Sequence, residues 1–427
     1  MGAYTISAYT DESEDPYEPG AGVFPPELAG REAERAQFDL RITRLGAGRR
    51  ARGMALWGLR GVGKTVLMRD FQKRAEAAGW ATGFHELGTG DPLRPVIARG
   101  ALAALRGLQR HSQLRTGAKR ALRVLRSFSV TAMPHGVSLS LQVEPEPGRA
   151  DSGELEHDIQ DLLGELGELT NQAGAGLVIF LDELQLASTD ELGALLRALQ
   201  QLERRELPLL LVSAGLPDLP LKLVEASSGY AERMFTYHEV GELDADSARD
   251  ALALPAERAG VKYTPDALDE LLAHAGGFPF FLQVYGSHAW RAAPGSPIDL
   301  DAAKRAHITA SRELDAGFHR LRWDRCTPLE QQFLYALAQL APGPQPIAEV
   351  NGRLGRTAAQ TTMVREALIT KRGLIHSPGR GLIQFNMPLF GDYVRRRHDP
   401  PPAPAASRTR GSRARSSSRR SRPEIDP

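Results

Sequence analysis

Cysteine, lysine and long apolar runs are all scarce in this sequence. A single cysteine, Cys326, stands among 427 residues, which excludes an internal disulfide framework. No apolar run approaches the roughly 20 residues that a membrane-spanning helix needs. The first 20 residues are acidic and polar, so they have the pattern of neither a signal peptide nor a transit peptide. We therefore expect a cytoplasmic protein that does not contact a membrane.

Positive charge is concentrated at the end of the chain. Lysine supplies only 7 of the 53 basic residues, and the formal net charge is +1. Residues 401–427 hold seven arginines against two acidic residues, which leaves a charge of −4 on residues 1–400. By bulk charge, the folded part is therefore not a strongly basic nucleic-acid binder. The length favours two to four domains.

Alternating strands and helices are predicted over residues 21–240. Apolar strands are predicted at Met54–Trp57, Leu177–Leu181 and Leu209–Val212, and a further strand is predicted at Trp80–Glu86. Strands that are apolar throughout and alternate with helices indicate a parallel sheet covered on both faces, and hence an α/β fold. Residues 90–150 interrupt this rhythm and predict an insertion. Within it, Phe128–Met133 and Val137–Val143 would pair as a β-hairpin.

The rest of the chain predicts a disordered leader, two further units and a disordered tail. Residues 1–20 form the leader, and residues 241–325 show only helical patterns. Residues 326–398 open on the capping box Thr327–Glu330 and continue as three helices and a hairpin, which is the winged-helix order. Residues 399–427 are rich in Pro, Ser and Arg and cannot bury enough apolar surface to fold.

A glycine-rich motif of the form G-x-x-x-x-G-K-T follows the first apolar strand and opens a helix. It comprises Gly58, Leu59, Arg60, Gly61, Val62, Gly63, Lys64 and Thr65. Glycines in such a loop let backbone N–H groups surround phosphates. Lys64 would supply a mobile cation for the β- and γ-phosphates, and the Thr65 hydroxyl would be a ligand of Mg²⁺. The motif therefore predicts binding of ATP with magnesium.

Two acidic residues follow the apolar strand Leu177–Leu181. At the end of a parallel strand, Asp182 would lie beside the phosphates and hold the hydration shell of Mg²⁺. Glu183 would then polarise the attacking water. A buried strand followed by two solvated acids would give the same pattern without any chemistry. The glycine-rich motif upstream favours the catalytic interpretation.

Taken in order, these motifs resemble those of AAA+ ATPases of the initiator-like (origin-recognition) and STAND-like group. The resemblance spans roughly residues 21–398. Further segments that carry it are Pro26–Glu32, Ser213–Pro217, Tyr230–Phe235 and Gly276–Phe281. It implies a P-loop NTPase core with a parallel sheet, followed by an all-α lid and a winged-helix domain. It also implies ATP hydrolysis.

The resemblance also implies roles for single residues. Arg31 lies in the segment that packs beside adenine, Ser213 takes the sensor 1 position, and Arg233 stands where an arginine finger is expected. A surface salt bridge would explain Arg233 equally well. Pro279 occupies the lid element in which many initiator ATPases carry an arginine that touches the γ-phosphate. Its presence there implies slow hydrolysis, as in a switch.

The predicted winged helix offers a candidate contact surface for double-stranded DNA. On its helix Thr357–Lys371 we expect Met363, Val364, Ala367 and Leu368 to point inward. The candidate DNA contacts are Gln360, Thr361, Arg365, Lys371, Arg372 and Arg380. Two functions remain open. One is a nucleotide-dependent, DNA-associated regulator; the other is a STAND-like switch that controls assembly with itself or with a partner protein and binds no DNA.

Overall fold

A parallel sheet forms the centre of the first half of the chain. The structure is a computed structural model that describes residues 12–20, 22–108, 115–132, 143–387 and 389–398. Its first strands are β1 (Gly53–Trp57), β2 (Ala81–Glu86), β3 (Leu177–Asp182), β4 (Leu209–Gly215) and β5 (Phe235–Glu239). All five pair in parallel, in the order β2-β3-β4-β1-β5. The four predicted strands named above are confirmed.

Apolar side chains cover both faces of this sheet. One face packs against α1 (Glu32–Gly46) and α2 (Lys64–Ala77). The other packs against α3 (Leu93–Leu108), α4 (Arg115–Ala132), α5 (Leu155–Gln172), α6 (Thr189–Glu203), α7 (Leu219–Ala226) and α8 (Ala231–Met234). Along β3, Val178 and Phe180 face the first layer, whereas Ile179 and Leu181 face the second. This alternation follows from the two-residue period of a strand.

Within residues 90–150, the described elements are the helices α3 and α4 and not a β-hairpin. In α4 the side chains of Ala118, Ala121, Leu125 and Phe128 are buried on one face, at spacings of three and four residues. That spacing is the period of a helix, and it decides the local structure. The prediction of a strand at Phe128–Met133 was therefore wrong. Residues 133–142, which include most of the second predicted strand, lie outside the described residues.

Helices follow β5 and form the all-α lid. They are α9 (Ala245–Arg258), α10 (Pro265–Ala275), α11 (Pro279–Ala292), α12 (Leu300–Glu313), a π-helical turn (Leu314–His319) and α13 (Arg320–Trp323). Pro265 starts α10 as its first helical residue. Buried lid side chains such as Phe281 and Leu282 belong to the same apolar cluster as α1 and α2, so the lid is packed onto the core.

Residues 326–398, here called the C-terminal unit, have an apolar cluster of their own. The elements are α14 (Pro328–Ala338), β6 (Gln345–Pro346), α15 (Ile347–Leu354), α16 (Ala358–Glu366), a π-helical turn (Ala367–Lys371), β7 (Ile375–His376), β8 (Leu382–Phe385) and α17 (Phe390–His398). The strands form an antiparallel sheet in the order β6-β8-β7. The predicted capping box is confirmed, because Thr327 and Glu330 each accept the other's backbone N–H. The predicted tail, 399–427, lies outside the described residues.

The residues before α1 pack against the lid. Tyr17 is buried, its hydroxyl donates to the carbonyl of Leu252, and it lies 2.7 Å from the hydroxyl of Tyr263. A Cβ added to Gly286 would lie 2.4 Å from the Tyr17 ring, so the ring sits directly on the backbone of α11. The prediction of a disordered leader was therefore wrong for residues 12–20. Residues 1–11 lie outside the described part of the chain.

Among the residues that the structure describes, no helix combines enough length with enough apolar character to cross a membrane.

Candidate nucleotide-binding site

The glycine-rich loop of residues 58–65 joins β1 to α2 at the edge of the sheet where the strands end. We call this edge the carboxyl edge. A Cβ on Gly58 would lie 2.1 Å from the carbonyl oxygen of Val240, so no side chain fits there. Gly63 has a φ of 91°, in the region that favours glycine. Val62 is buried in the core and anchors the loop. The sequence thus permits a tight loop whose backbone amides stand before a helix N-terminus.

Lys64 turns its ammonium group back into the loop. Its Nζ donates to the carbonyl oxygens of Gly58 at 2.9 Å and Leu59 at 2.8 Å. Burial lowers the pKa of Lys64 to about 8, although Glu183 and Asp182 oppose the shift. Both of these hydrogen bonds are made to neutral carbonyls. A phosphate at this point would offer it a charged partner.

Thr65 and Asp182 meet across the carboxyl edge. The Thr65 hydroxyl donates to Asp182 Oδ2 at 2.6 Å, and the other carboxylate oxygen accepts the backbone N–H of Glu183 at 2.9 Å. Burial raises the pKa of Asp182, while the Thr65 hydrogen bond opposes the shift. A hydroxyl and a carboxylate together provide the hard oxygen ligands that Mg²⁺ favours.

Glu183 has a strained backbone and two partners for its carboxylate. Its φ of 54° and ψ of 33° fall in the left-handed region, which is unusual for a residue with a side chain. Oε1 lies 3.7 Å from Nη1 of Arg60, and Oε2 accepts from Nε2 of Gln185 at 2.5 Å. Such strain tends to persist only where the surroundings fix the residue. The carboxylate is thus oriented from both sides.

Two polar residues at this edge were missed by the sequence-based reasoning. Gln185 is buried, and besides its contact with Glu183 it accepts the backbone N–H of Leu216 at the end of β4. Glu86 ends β2 and pairs in register with Asp182. Burial raises the pKa of Glu86, and the nearby charges of Asp182 and Glu183 add to the shift. The position of Glu86 at the end of a predicted strand was a usable signal; Gln185 carried none.

Arg31 and the start of α11 brace the loop. The buried guanidinium of Arg31 donates to the carbonyl of Val62 at 3.2 Å and to that of Gly241 at 2.5 Å. Pro279 begins α11, and its Cγ would lie 3.9 Å from a Cβ on Gly63. The next residue of α11 donates its N–H to the Gly61 carbonyl at 3.4 Å. Both candidate residues therefore contact the loop itself.

Comparison with known proteins agrees with this geometry. Residues 27–212 match the family model described as AAA ATPase domain. The structure of the Aeropyrum pernix ORC2 protein in its ADP form matches with a TM-score of 0.55 and 15% identity, covering 92% of this chain and 100% of that one. The Walker-type ATPase PABY2304 of Pyrococcus abyssi matches with a TM-score of 0.53 and 16% identity, covering 87% and 97%. The fold is that of an AAA+ P-loop NTPase.

A second family match covers most of the C-terminal unit. Residues 316–394 match the family model described as Domain of unknown function (DUF8462). Among curated protein sequences, none matches the chain. The comparisons therefore characterise the AAA+ core and give no function for the C-terminal unit.

Two residues assigned from the AAA+ resemblance lie away from the loop. β4 runs on to Gly215, so Ser213 lies two residues before the end of the strand, and its sensor 1 role stays a prediction. Ser213 is fully buried, with its hydroxyl 3.5 Å from the carbonyl oxygen of Met54. Arg233 is exposed and lies just before β5, at the edge of the sheet where strands begin. Within one chain it does not reach Lys64.

The predicted DNA-contacting face is only partly exposed. Thr361 was expected outside, yet it is 2% exposed and donates to Asn351 Oδ1 at 2.8 Å. Met363 was expected inside, yet it is 82% exposed. Both assignments were wrong, because the Thr361 hydroxyl is hidden in a hydrogen bond to Asn351 of α15. Polarity therefore misplaced these two side chains, whereas Leu368 is buried as expected.

The other candidate DNA contacts divide into engaged and free side chains. Gln360 caps α16 by accepting the N–H of Thr357 at 2.9 Å, and Arg372 pairs with Glu330 at 3.3 Å. Arg365 is half-buried. Lys371 and Arg380 are exposed and have no ion-pair partner among the described residues. These last two remain available for phosphate contacts.

The C-terminal unit contacts the glycine-rich loop of residues 58–65, which we also call the phosphate loop. The backbone N–H of Arg60 donates to the carbonyl of Asn386 at 3.2 Å. A Cβ added to Gly373 would lie 3.3 Å from Nη2 of Arg60, so the guanidinium lies against the Gly373 backbone. The unit therefore contacts the AAA+ core at its phosphate loop.

Proposed function

We propose that this chain binds ATP with Mg²⁺ at the carboxyl edge of its AAA+ core and hydrolyses it slowly. The hydrogen bond of 2.6 Å between Thr65 and Asp182 carries this proposal, because it joins the phosphate loop to the end of β3. Lys64 lies in the same loop with its ammonium on neutral carbonyls. The donor set and the glycine backbone both fit a magnesium-bound triphosphate.

Each residue then has a distinct task. Backbone amides of the loop would surround the phosphates, and Lys64 would exchange its loop carbonyls for phosphate oxygens. Thr65 and Asp182 would hold Mg²⁺, which neutralises phosphate charge when it is bound. Glu183 would accept the proton of the attacking water. Arg233 would act as an arginine finger only towards a neighbouring copy, so that role requires a homo-oligomer.

The nucleotide would control the C-terminal unit, which we interpret as a winged helix. The order of helices and the antiparallel sheet β6-β8-β7 support that interpretation. The proposed domains are a core at residues 21–240, a lid at residues 241–325 and this unit at residues 326–398. The proposed compartment is the cytoplasm. The contact of Asn386 with Arg60 supports control by the nucleotide, since it joins the unit to the phosphate loop.

Two uses of such a switch are supported by different observations. The contact between the C-terminal unit and the loop favours a STAND-like switch, in which nucleotide controls assembly with another copy or a partner protein. The exposed side chains of Lys371 and Arg380 favour contact with DNA phosphates. The hidden Thr361 and the paired Arg372 weaken base reading. We therefore put the switch first and DNA association second.

A titration of fluorescent duplex DNA across salt, with ATP, ADP or no nucleotide, separates the two uses. The full chain and its Lys64→Ala variant are compared, with sedimentation measured under each condition. A DNA affinity that falls with salt and responds to nucleotide only when Lys64 is present supports DNA association. No DNA binding, together with a change in oligomeric state on adding ATP, supports the assembly switch. If nucleotide changes neither quantity, both uses are wrong.

A further inference from the structure

Arg60 joins the phosphate loop to two other parts of the molecule. Its backbone N–H donates to the Asn386 carbonyl at 3.2 Å, and its Nη1 lies 3.7 Å from Glu183 Oε1. Its guanidinium also lies against the backbone of Gly373. The same residue thus contacts the candidate catalytic carboxylate and the C-terminal unit.

The C-terminal unit holds its side of this contact rigidly. Asn386 is buried; its Nδ2 donates to the carbonyls of Gly373 and Ile375, and its N–H donates to that of Leu374. Gly373 has a φ of 59°, so glycine is favoured where the guanidinium rests. The position of Arg60 is therefore fixed by the unit as long as the two remain in contact.

Glu183 has no carboxylate oxygen without a partner in this arrangement. Arg60 lies at Oε1 and Gln185 donates to Oε2. The side chains of Arg60 and Glu183 are 33% and 18% exposed, so water screens their attraction only in part. A general base must face the proton that it takes, and these two contacts turn the oxygens of Glu183 towards Arg60 and Gln185, so the carboxylate must reorient before it can face the attacking water.

We propose that Arg60 is a positioning residue that withholds Glu183 from the attacking water while the C-terminal unit is in contact with the loop. This inference rests on the ATPase activity proposed above. When the unit leaves, Arg60 is released from Asn386 and Gly373. Its guanidinium is then no longer held beside the carboxylate. Glu183 is left with a free oxygen.

The test compares kcat and ATP affinity in the full chain and in three variants. Arg60→Ala removes the side chain that pairs with Glu183 Oε1. Gly373→Ala adds a Cβ 3.3 Å from Nη2 of Arg60 and so displaces the Arg60 guanidinium. Arg50→Ala is the matched control, because Arg50 is an exposed arginine that pairs with Glu206. Phosphate release gives kcat, and a fluorescent ATP analogue gives Kd.

We expect Arg60→Ala to raise kcat about tenfold, a fraction of the 10²–10⁴-fold that a general base contributes. Its Kd should change by less than about threefold, and Gly373→Ala should raise kcat in the same direction. The double variant should exceed neither single variant, because both changes release the same carboxylate. Arg50→Ala should leave both quantities unchanged. A merely structural role would not raise kcat at constant Kd.

Three outcomes would overturn the inference. If Arg60→Ala lowers kcat with Kd unchanged, Arg60 assists the reaction instead. If Arg60→Ala raises kcat but a folded Gly373→Ala does not, the C-terminal unit does not hold Arg60. If the unmodified chain binds ATP and neither it nor Arg60→Ala hydrolyses it, this inference and the proposed hydrolysis both fail. The first two outcomes leave the proposed function intact.

Discussion

The carboxyl edge of the parallel sheet and helix α16 of the C-terminal unit differ in how they treat polar side chains. At the edge, Lys64 and Asp182 are buried and hydrogen-bonded to groups that a nucleotide and its metal could replace. On α16, Thr361 is hidden in a structural hydrogen bond and Met363 faces solvent. Burial of charge at a strand end therefore indicates chemistry, whereas polarity on a short helix does not.

Glu183→Gln tests the chemistry proposed for the carboxyl edge and should have the largest effect. We expect turnover to fall by about 10²–10⁴-fold with ATP affinity retained, because the amide cannot accept the proton from water. Glu183→Gly should be equally inactive. It should also be more stable by about 1 kcal/mol, because glycine adopts the left-handed backbone without strain. Phosphate release, calorimetric binding and thermal melts measure the three effects. Unchanged turnover in Glu183→Gln would remove Glu183 from the role of base.

Lys64→Ala should have the next largest effect. The ammonium would donate to phosphate oxygens, and charge-assisted bonds contribute about 1.5–3 kcal/mol each, so ATP affinity should fall at least about 100-fold. Lys73→Ala is a matched control on the same helix, since that ammonium lies over the ring of Phe24. Titration calorimetry with Mg-ATP gives both values. Equal affinities for the two variants would contradict the proposed site.

The pH dependence of ATP binding sharpens the comparison further. Because burial lowers the pKa of Lys64 to about 8, the free chain loses this proton as the pH rises through 8. Only the protonated amine pairs with phosphate, so ATP affinity should fall above pH 8, by up to about tenfold per pH unit. Lys64→Arg keeps its charge and should lose this dependence. If the ATP affinity of the unmodified chain does not change from pH 7 to 9, the expected effect of losing the Lys64 proton is contradicted.

Thr361→Val tests the structural side and should give the smallest effect. The change removes the hydroxyl that donates to Asn351 Oδ1 and should cost about 1–2 kcal/mol of unfolding free energy. Any DNA affinity should be unaffected. The double variant Lys371→Ala with Arg380→Ala should keep the stability and reduce the salt slope of DNA binding by about one for each phosphate that is no longer neutralised. If Thr361→Val is fully stable but binds DNA more weakly, Thr361 contacts DNA and its assignment to a structural role is wrong.

The phosphate loop and its two acids could be predicted from the sequence because each rests on a short continuous segment. Lys64 and Thr65 belong to one motif, and Asp182 ends a strand that is apolar at every position before it. Parallel strands all end at one edge, so the convergence follows from topology. The loop conformation needed only glycines in the right places.

What could not be predicted depends on contacts between distant segments. Tyr17 is ordered by the lid, more than two hundred residues away, and nothing near it in the sequence indicates that. Phe128 was assigned to a strand that would pair with Val137–Val143, whereas burial against α3 and α5 selects the helix. The contact of Arg60 with Asn386 joins two backbone groups, and backbone groups carry no sequence signal.

The attachment of Tyr17 to the lid has a consequence for synthesis. Its hydroxyl meets the carbonyl of Leu252, which follows 235 residues later. At about 5–20 residues per second, a ribosome would need roughly 10–50 s to make that stretch. The segment around Tyr17 thus leaves the ribosome long before its partners do. It must stay unpaired until the first lid helix, α9, has been made.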